Sequence, residues 1–321
     1  MIEKLWTINT SSLDPYHNIA LEEYLMDTLP LHSALLYLWQ NERTVVIGKN
    51  QCAANEVNIQ ALEKDGGHLA RRLSGGGAVY HDLGNLNFTF LMKEEDFDVQ
   101  KQTEVILKAL KRLGIEAEVS GRNDLTIAGQ KFSGHAYYHH GGNAYHHGTL
   151  MVDVDREKMT RYLNVSQKKL ADKHVKSVKS RVINLIECHP GLKIEALKEA
   201  LIYGFEEVYQ LPSEEIYEEG FDLRSIKERE KRFASAEWKY DKEVSYDYAL
   251  EKKFPWGLVN LRIKEDQGIL KNVVIYTDAM DLEILDHLPG KLKDQKFDES
   301  LLRLAESEEE KEVIQYLLEG R

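Results

Sequence analysis

Arg71-Arg72-Leu73-Ser74-Gly75-Gly76-Gly77-Ala78-Val79-Tyr80-His81-Asp82 is the stretch on which the reading of this chain turns. Three consecutive glycines leave backbone N–H groups unshielded by side chains, two arginines bring fixed positive charge, and a short β-type run follows. Such a loop suits an anion. A P-loop ends in Gly-Lys-Ser/Thr, whereas Ala78 and Val79 follow Gly77 here. A dinucleotide fingerprint needs a glycine where Tyr80 stands and then a helix, whereas Leu86 to Leu91 reads as a strand. Both of those folds are excluded on residue type. The remaining alternative to an anion site is a structural glycine hairpin.

The flanking segments set the fold class. Asp14-Pro15 reads as a helix cap with proline in the first turn, and Ile19, Ala20, Leu21, Tyr24 and Leu25 give that helix an apolar face. Leu35 to Trp39 and Thr44 to Gly48 read as strands joined by the polar turn Gln40 to Arg43, and a short helix lies near Val57 to Leu62. After Gly66-Gly67, His68-Leu69-Ala70 is a strand leading into the glycine loop. Val105, Ile106, Ala109, Leu110 and Leu113 have the spacing of an amphipathic helix ended by Gly114. Strand-like runs follow at Glu116 to Val119, Asp124 to Ile127, Lys131 to Tyr138 and Gly148 to Val154. Many of these connections are hairpin-short, so the pattern predicts an α+β fold: a mixed, largely antiparallel sheet with packed helices.

Ile194 to Tyr209 reads as a helix, and Glu214 to Arg232 as a charged exposed helix or linker. The composition changes near Trp238. Beyond it a hairpin is expected from Leu258 to Tyr276, turning at Glu265 to Gly268, with Leu282 to Leu318 helical. The expected organisation is a large domain over 1–239 and a small α+β domain over 240–321, with no internal repeat.

At 321 residues, 42% hydrophobic and 30% charged, the chain has an ordinary globular composition. No apolar run is long enough to span a bilayer and the start lacks a signal pattern, so a cytoplasmic protein without a membrane partner is expected. The net charge of −12 argues against general nucleic-acid binding. A local basic run, with Lys168, Lys169, Lys173, Lys176, Lys179 and Arg181, reads as a solvated face or, near an acidic partner, as a counter-surface. Cys52 and Cys188 give neither a disulfide framework nor a zinc ribbon. His135, His139, His140, His146 and His147 crowd together, but with no cysteine near and no acid between them they are not read as a metal site. His81, followed by Asp82, reads as a strand-end histidine paired to that carboxylate.

A second constellation follows: Gly121-Arg122-Asn123-Asp124-Leu125, then Gly129-Gln130-Lys131-Phe132-Ser133-Gly134-His135-Ala136. Lys131 opens a strand after a glycine turn, a position from which a long cation reaches a site built by backbone. Small and polar neighbours let a ligand approach that strand closely.

These two segments, with His147-Gly148-Thr149-Leu150 and the run Ser177 to Leu185, resemble the A-type lipoate–protein ligases, and the resemblance extends through Trp256-Gly257 and Thr277-Asp278. It implies a biotin/lipoate ligase-like fold and a two-step reaction. Lipoate and ATP give lipoyl-adenylate and pyrophosphate, and the acyl group then passes to a lysine of a lipoyl domain of 2-oxoacid dehydrogenase complexes or of the glycine cleavage H-protein. By the resemblance Lys131 contacts both the lipoate carboxyl and the phosphate, and Arg72 with the backbone of Gly77, Ala78, Val79 and Tyr80 binds ATP. It also places Arg72, Ser74, Gly76 and His147 beside lipoate, and Asp124 with ATP and magnesium. The chemistry agrees, because a carboxylate attacking an α-phosphate is one anion approaching another and needs positioning and charge neutralisation. The competing reading is an ATP-independent acyltransferase of the same fold using a thioester at Cys52. A biotin ligase shares the sheet but not these motifs.

Overall fold

The computed structural model describes residues 1–120, 124–164, 182–240 and 245–320. Gly121 to Asn123 and the basic run from Lys168 to Arg181 lie outside the described residues. The centre of the molecule is an eight-stranded sheet in the order β11-β1-β2-β6-β10-β9-β8-β7. Its strands are β1 (Lys4–Asn9), β2 (Ser33–Trp39), β6 (Asn85–Lys93), β7 (Glu118–Ser120), β8 (Asp124–Ile127), β9 (Gln130–His140), β10 (Asn143–Met151) and β11 (Ser213–Glu215). The β1 pairings with β2 and β11 are parallel and the other described pairs antiparallel, so the sheet is mixed and largely antiparallel, as the short connections require.

Alternation along β6 decides what each face of the sheet does. Leu86, Phe88 and Phe90 point to the Val99–Arg112 and Ile194–Tyr209 helices, where Phe90 and Phe205 pack at 5.9 Å. Those two helices meet closely at Gly204, where an added Cβ would lie 2.6 Å from the Val105 carbonyl oxygen. Asn85, Asn87 and Thr89 point the other way, toward the Pro15–Thr28 helix and a small sheet, β4-β3-β5. That helix starts where its sequence says it should: the Asp14 carboxylate accepts from the Tyr16 amide at 2.8 Å and Pro15 occupies the first turn.

The small sheet comprises β3 (Thr44–Ile47), β4 (His68–Arg71) and β5 (Val79–His81). The expected β2–β3 hairpin is therefore not formed, and its two strands belong to different sheets. The cause is at the turn: Asn18 Nδ2 donates to the Gln40 carbonyl and to Asn41 Oδ1, holding the connection against the Pro15–Thr28 helix.

A second hydrophobic core forms around β12 (Tyr248–Phe254), β13 (Gly257–Asp266) and β14 (Ile269–Thr277), with Val259, Leu261, Phe297, Val313 and Leu317 at its centre. Leu282 to Leu318 is broken into Leu288–Leu292, a 3-10 turn at Glu299–Leu304 and Glu308–Glu319, because Asp298 and Ser307 cap new starts. The segment expected as an exposed helix or linker begins as a short strand and continues as a largely exposed helix docked along one stripe. Ser213–Glu215 is an edge strand beside β1, and the Leu223–Ala234 helix packs on Pro15–Thr28 through Ile226 and Phe233, with Arg229 and Arg232 paired to Glu23. Two apolar residues seven apart anchor that helix, too sparse a stripe to stand out among its charges.

No helix among the described residues is long and apolar enough to cross a membrane.

Candidate active site

A cavity of about 210 Å³ lies between the polar face of the large sheet and the glycine loop. Its floor is a row across four strands and onto a fifth: Trp39 on β2, Asn87 on β6, Thr149 on β10, Gly134 on β9 and Asp124 on β8. Arg72, Gly76, Gly77, Ala78 and Val79 form the opposite wall.

The loop is shaped by its own arginine. Arg72 is 6% exposed, and its guanidinium donates to the carbonyls of Val46, Gly75 and Gly77 and to Ser74 Oγ, at 2.6 to 3.3 Å. Burial pushes it down to about 10, far above neutrality, so it stays charged. Arg71 points away, to the carbonyls of Gly48, Lys49, Gln51, Trp238 and Lys239, and is absent from the cavity lining. Thus the two arginines fold the loop, and its anion-binding capacity resides in backbone amides. Among the described residues those of Gly77 and Ala78 have no backbone acceptor. Gly76 sits at φ +87°, reserved for glycine, and Gly48 approaches so closely that an added Cβ would lie 2.2 Å from the Gly76 carbonyl oxygen.

Lys131 is the cation facing this wall. A register shift between Leu125 and Thr126 turns it onto the cavity side, and its side chain lies across Gly134, where an added Cβ would be 3.0 Å from Nζ. Nζ pairs with Asp124 Oδ1 at 2.7 Å, both side chains 42% exposed. The Lys131 carbonyl accepts from the Ile183 amide, fixing the strand start.

Of the residues expected at the site, Arg72, Gly76, Gly77, Ala78, Val79, Asp124, Lys131 and His147 line the cavity. Tyr80 packs its ring on Tyr162 at 5.5 Å, away from the cavity, and Ser74 is fully buried behind the loop. Ser74 Oγ meets His147 Nε2 at 2.8 Å, and His147 Nδ1 meets Glu22 Oε1 at 2.9 Å. Glu22 also accepts from Thr89 Oγ1, which accepts from Trp39 Nε1. Glu22, Trp39, Asn87 and Met280 are wall residues that the sequence reading missed. The only signal for Glu22 was a carboxylate on the apolar stripe of a helix.

His81 is not paired to Asp82. The Asp82 carboxylate accepts the Gly84 and Asp155 amides, and His81 Nδ1 meets Asn41 Nδ2 at 3.2 Å. Burial, Arg72 and His147 push His81 down to about 3, so it is neutral. Cys52 is 2% exposed, accepts from Arg262 Nη2 at 3.0 Å and does not line the cavity. The small β12–β14 unit closes the cavity through Met280, and the Gly76 amide donates to the Ala279 carbonyl at 3.0 Å.

The family described as the lipoyl protein ligase A/B catalytic domain matches residues 14–206, and the bacterial lipoate protein ligase C-terminus matches 243–314. A relative named lipoate-protein ligase A, from Psychrobacter cryohalolentis, is 38% identical over 92% of this chain and 89% of its own. A P. falciparum LipL1 structure in complex with lipoate superposes with TM-score 0.84, at 28% identity over 98% of this chain and 99% of that one. A lipoate-protein ligase A bound with ATP gives TM-score 0.64, at 26% identity over 74% and 98% of the two chains.

Proposed function

This chain belongs to the lipoyl protein ligase A/B family, and we propose that it joins lipoate to a specific lysine of a lipoyl-carrier domain through a lipoyl-AMP intermediate. The observation that carries this reading is Lys131 Nζ held over Gly134, across the cavity from the Gly77 and Ala78 amides. Two anions must meet there. The lipoate carboxylate and the ATP α-phosphate both gain from Lys131, while the loop amides take phosphate oxygens, so the lysine offsets the repulsion between the reacting groups. Arg72 keeps the loop in that shape, and the pairing with Asp124 directs the Lys131 ammonium before substrate arrives.

Magnesium fits at Asp124. It is the half-exposed carboxylate of the lining, and Mg²⁺ needs only one or two carboxylates when phosphate oxygens and water complete its shell. When bound, the ion would neutralise phosphate charge beside Lys131. His147 and Trp39 wall the acyl chain, with Gly76 and Ser74 holding the loop against it. In this reading residues 1–239 form the catalytic domain and 240–321 a small accessory domain, supported by the separate cores and the two family matches. The acceptors are lipoyl domains of 2-oxoacid dehydrogenase complexes or the H-protein, and the reaction belongs in the cytoplasm.

Incubation with ATP, Mg²⁺, lipoate and an apo lipoyl domain should add one lipoyl mass to a single lysine. Lys131→Ala should not. Modification that proceeds without ATP contradicts the proposal.

A further inference from the structure

We propose that His81 and Asn87 form a pair of hydrogen-bond donors that recognises the sulfur-bearing end of the acyl substrate and discriminates it from a plain hydrocarbon tail. This rests on the ligase reading of the cavity. His81 and Asn87 are 3% and 1% exposed, both line the cavity, and among the described residues neither His81 Nε2 nor Asn87 Nδ2 has a hydrogen-bond partner. Each of these nitrogens is a donor. Asn41 Oδ1 is taken by Asn18 Nδ2, so Asn41 presents its NH₂ to His81 Nδ1. Nδ1 therefore accepts, and the neutral ring carries its proton on Nε2. Asn85 Nδ2 donates to Asn87 Oδ1 at 2.8 Å, leaving the Asn87 NH₂ without a partner among the described residues.

Two buried donors without partners cost stability unless a ligand supplies acceptors. Their place in the floor identifies which part of the ligand. Asn87 lies two strands from Gly134, through Thr149, and Lys131 Nζ rests on Gly134. At ~4.8 Å per strand, Asn87 stands about 10 Å from the lysine that takes the carboxylate. An extended pentanoyl chain ending in a dithiolane ring has that reach, whereas the α-phosphate stays beside the lysine and the loop. Trp39, edge-on to His81 at 6.1 Å, supplies the apolar wall for the ring. The protein makes the same kind of bond elsewhere: Gln102 Nε2 donates to the thioether of Met92 at 3.2 Å, also in a buried setting. A hydrocarbon tail would leave both donors unsatisfied, which is the stronger half of the discrimination.

The test is the ratio of kcat/KM for lipoate over octanoate in acid-dependent ATP–pyrophosphate exchange by the full chain, for wild type, Asn87→Leu and Asn87→Ala. Both variants should lower the ratio about fivefold, mainly through the KM for lipoate. The alanine variant decides the matter if the leucine variant does not fold. A ratio within twofold of wild type, an equal loss with both acids, or a loss carried by the KM for ATP would overturn the proposal. Absence of exchange with either acid in the wild-type protein would instead reject the ligase reading itself.

Discussion

His146 and His147 are neighbours in sequence and opposites in role, because β10 sends them to opposite faces of one sheet. His147 faces the cavity, tied to Glu22 and Ser74. His146 faces the helices in a closed chain: the Ser133 hydroxyl donates to His135 Nε2, His135 Nδ1 to His146 Nε2, and His146 Nδ1 to Gln102 Oε1, each at 2.9 to 3.0 Å. Burial holds His135 down to about 3 and His146 well below its usual range. The cavity side thus leaves His81 Nε2 and Asn87 Nδ2 without partners among the described residues, while the histidine chain on the helix face is satisfied internally. Changes on the cavity face should appear in activity, and changes on the helix face in stability.

The sharpest division comes from Lys131→Ala, expected to lower adenylation about 10²- to 10³-fold with an unchanged urea midpoint, since its ammonium is half-exposed and in the proposed reaction meets the two reacting anions. Comparable destabilisation would blur the two faces. Gly48→Ala comes next: its Cβ must push the Gly76 carbonyl aside, displacing the loop by a fraction of an ångström or more, and kcat/KM should fall about tenfold or beyond. Retained activity would show that the loop's position is not set there.

Acid reads the helix face. A histidine depressed in the folded state takes up protons on unfolding below about pH 6.5, so its contribution is present above that pH and is lost as pH falls toward 3. By pH 5 His135 alone should cost about 2 kcal/mol relative to neutrality, and His135→Asn should flatten the acid limb of stability against pH. His81, equally depressed, adds a similar limb from the cavity face that bound lipoate should modify. The smallest effect has the opposite sign. His17 is raised by its hydrogen bond to Glu218 at 2.9 Å, against its burial. Its stabilising effect is full below about pH 6.5 and is lost as pH rises through the elevated folded value, so His17→Asn should cost under about 1 kcal/mol in acid and nothing in alkali.

Much of this was legible from residues. The glycine loop, Lys131 and the capped helix after Asp14 announce themselves through backbone requirements and periodicity, which are local. The mixed sheet follows from connection lengths. Glu22, Trp39, Asn87 and Met280 meet only because distant segments pack together, and no local pattern marks a carboxylate on a helix stripe as a cavity wall. The arginines show the converse. Their charge was plain in the sequence, but that carbonyls of the loop consume it is a tertiary fact. The docking of the Leu223–Ala234 helix escaped for a similar reason, since Ile226 and Phe233 anchor it through a contact with the Pro15–Thr28 helix.

The most direct test of the central claim is ATP–pyrophosphate exchange with no carrier protein present, measured for wild type, Lys131→Ala and Cys52→Ser. Exchange that depends on lipoate, collapses in the lysine variant and survives in the cysteine variant is the expected result, because Cys52 lies under Arg262 outside the cavity. No lipoate-dependent exchange in the wild type, with ATP-independent acyl transfer that dies in Cys52→Ser, would contradict the account.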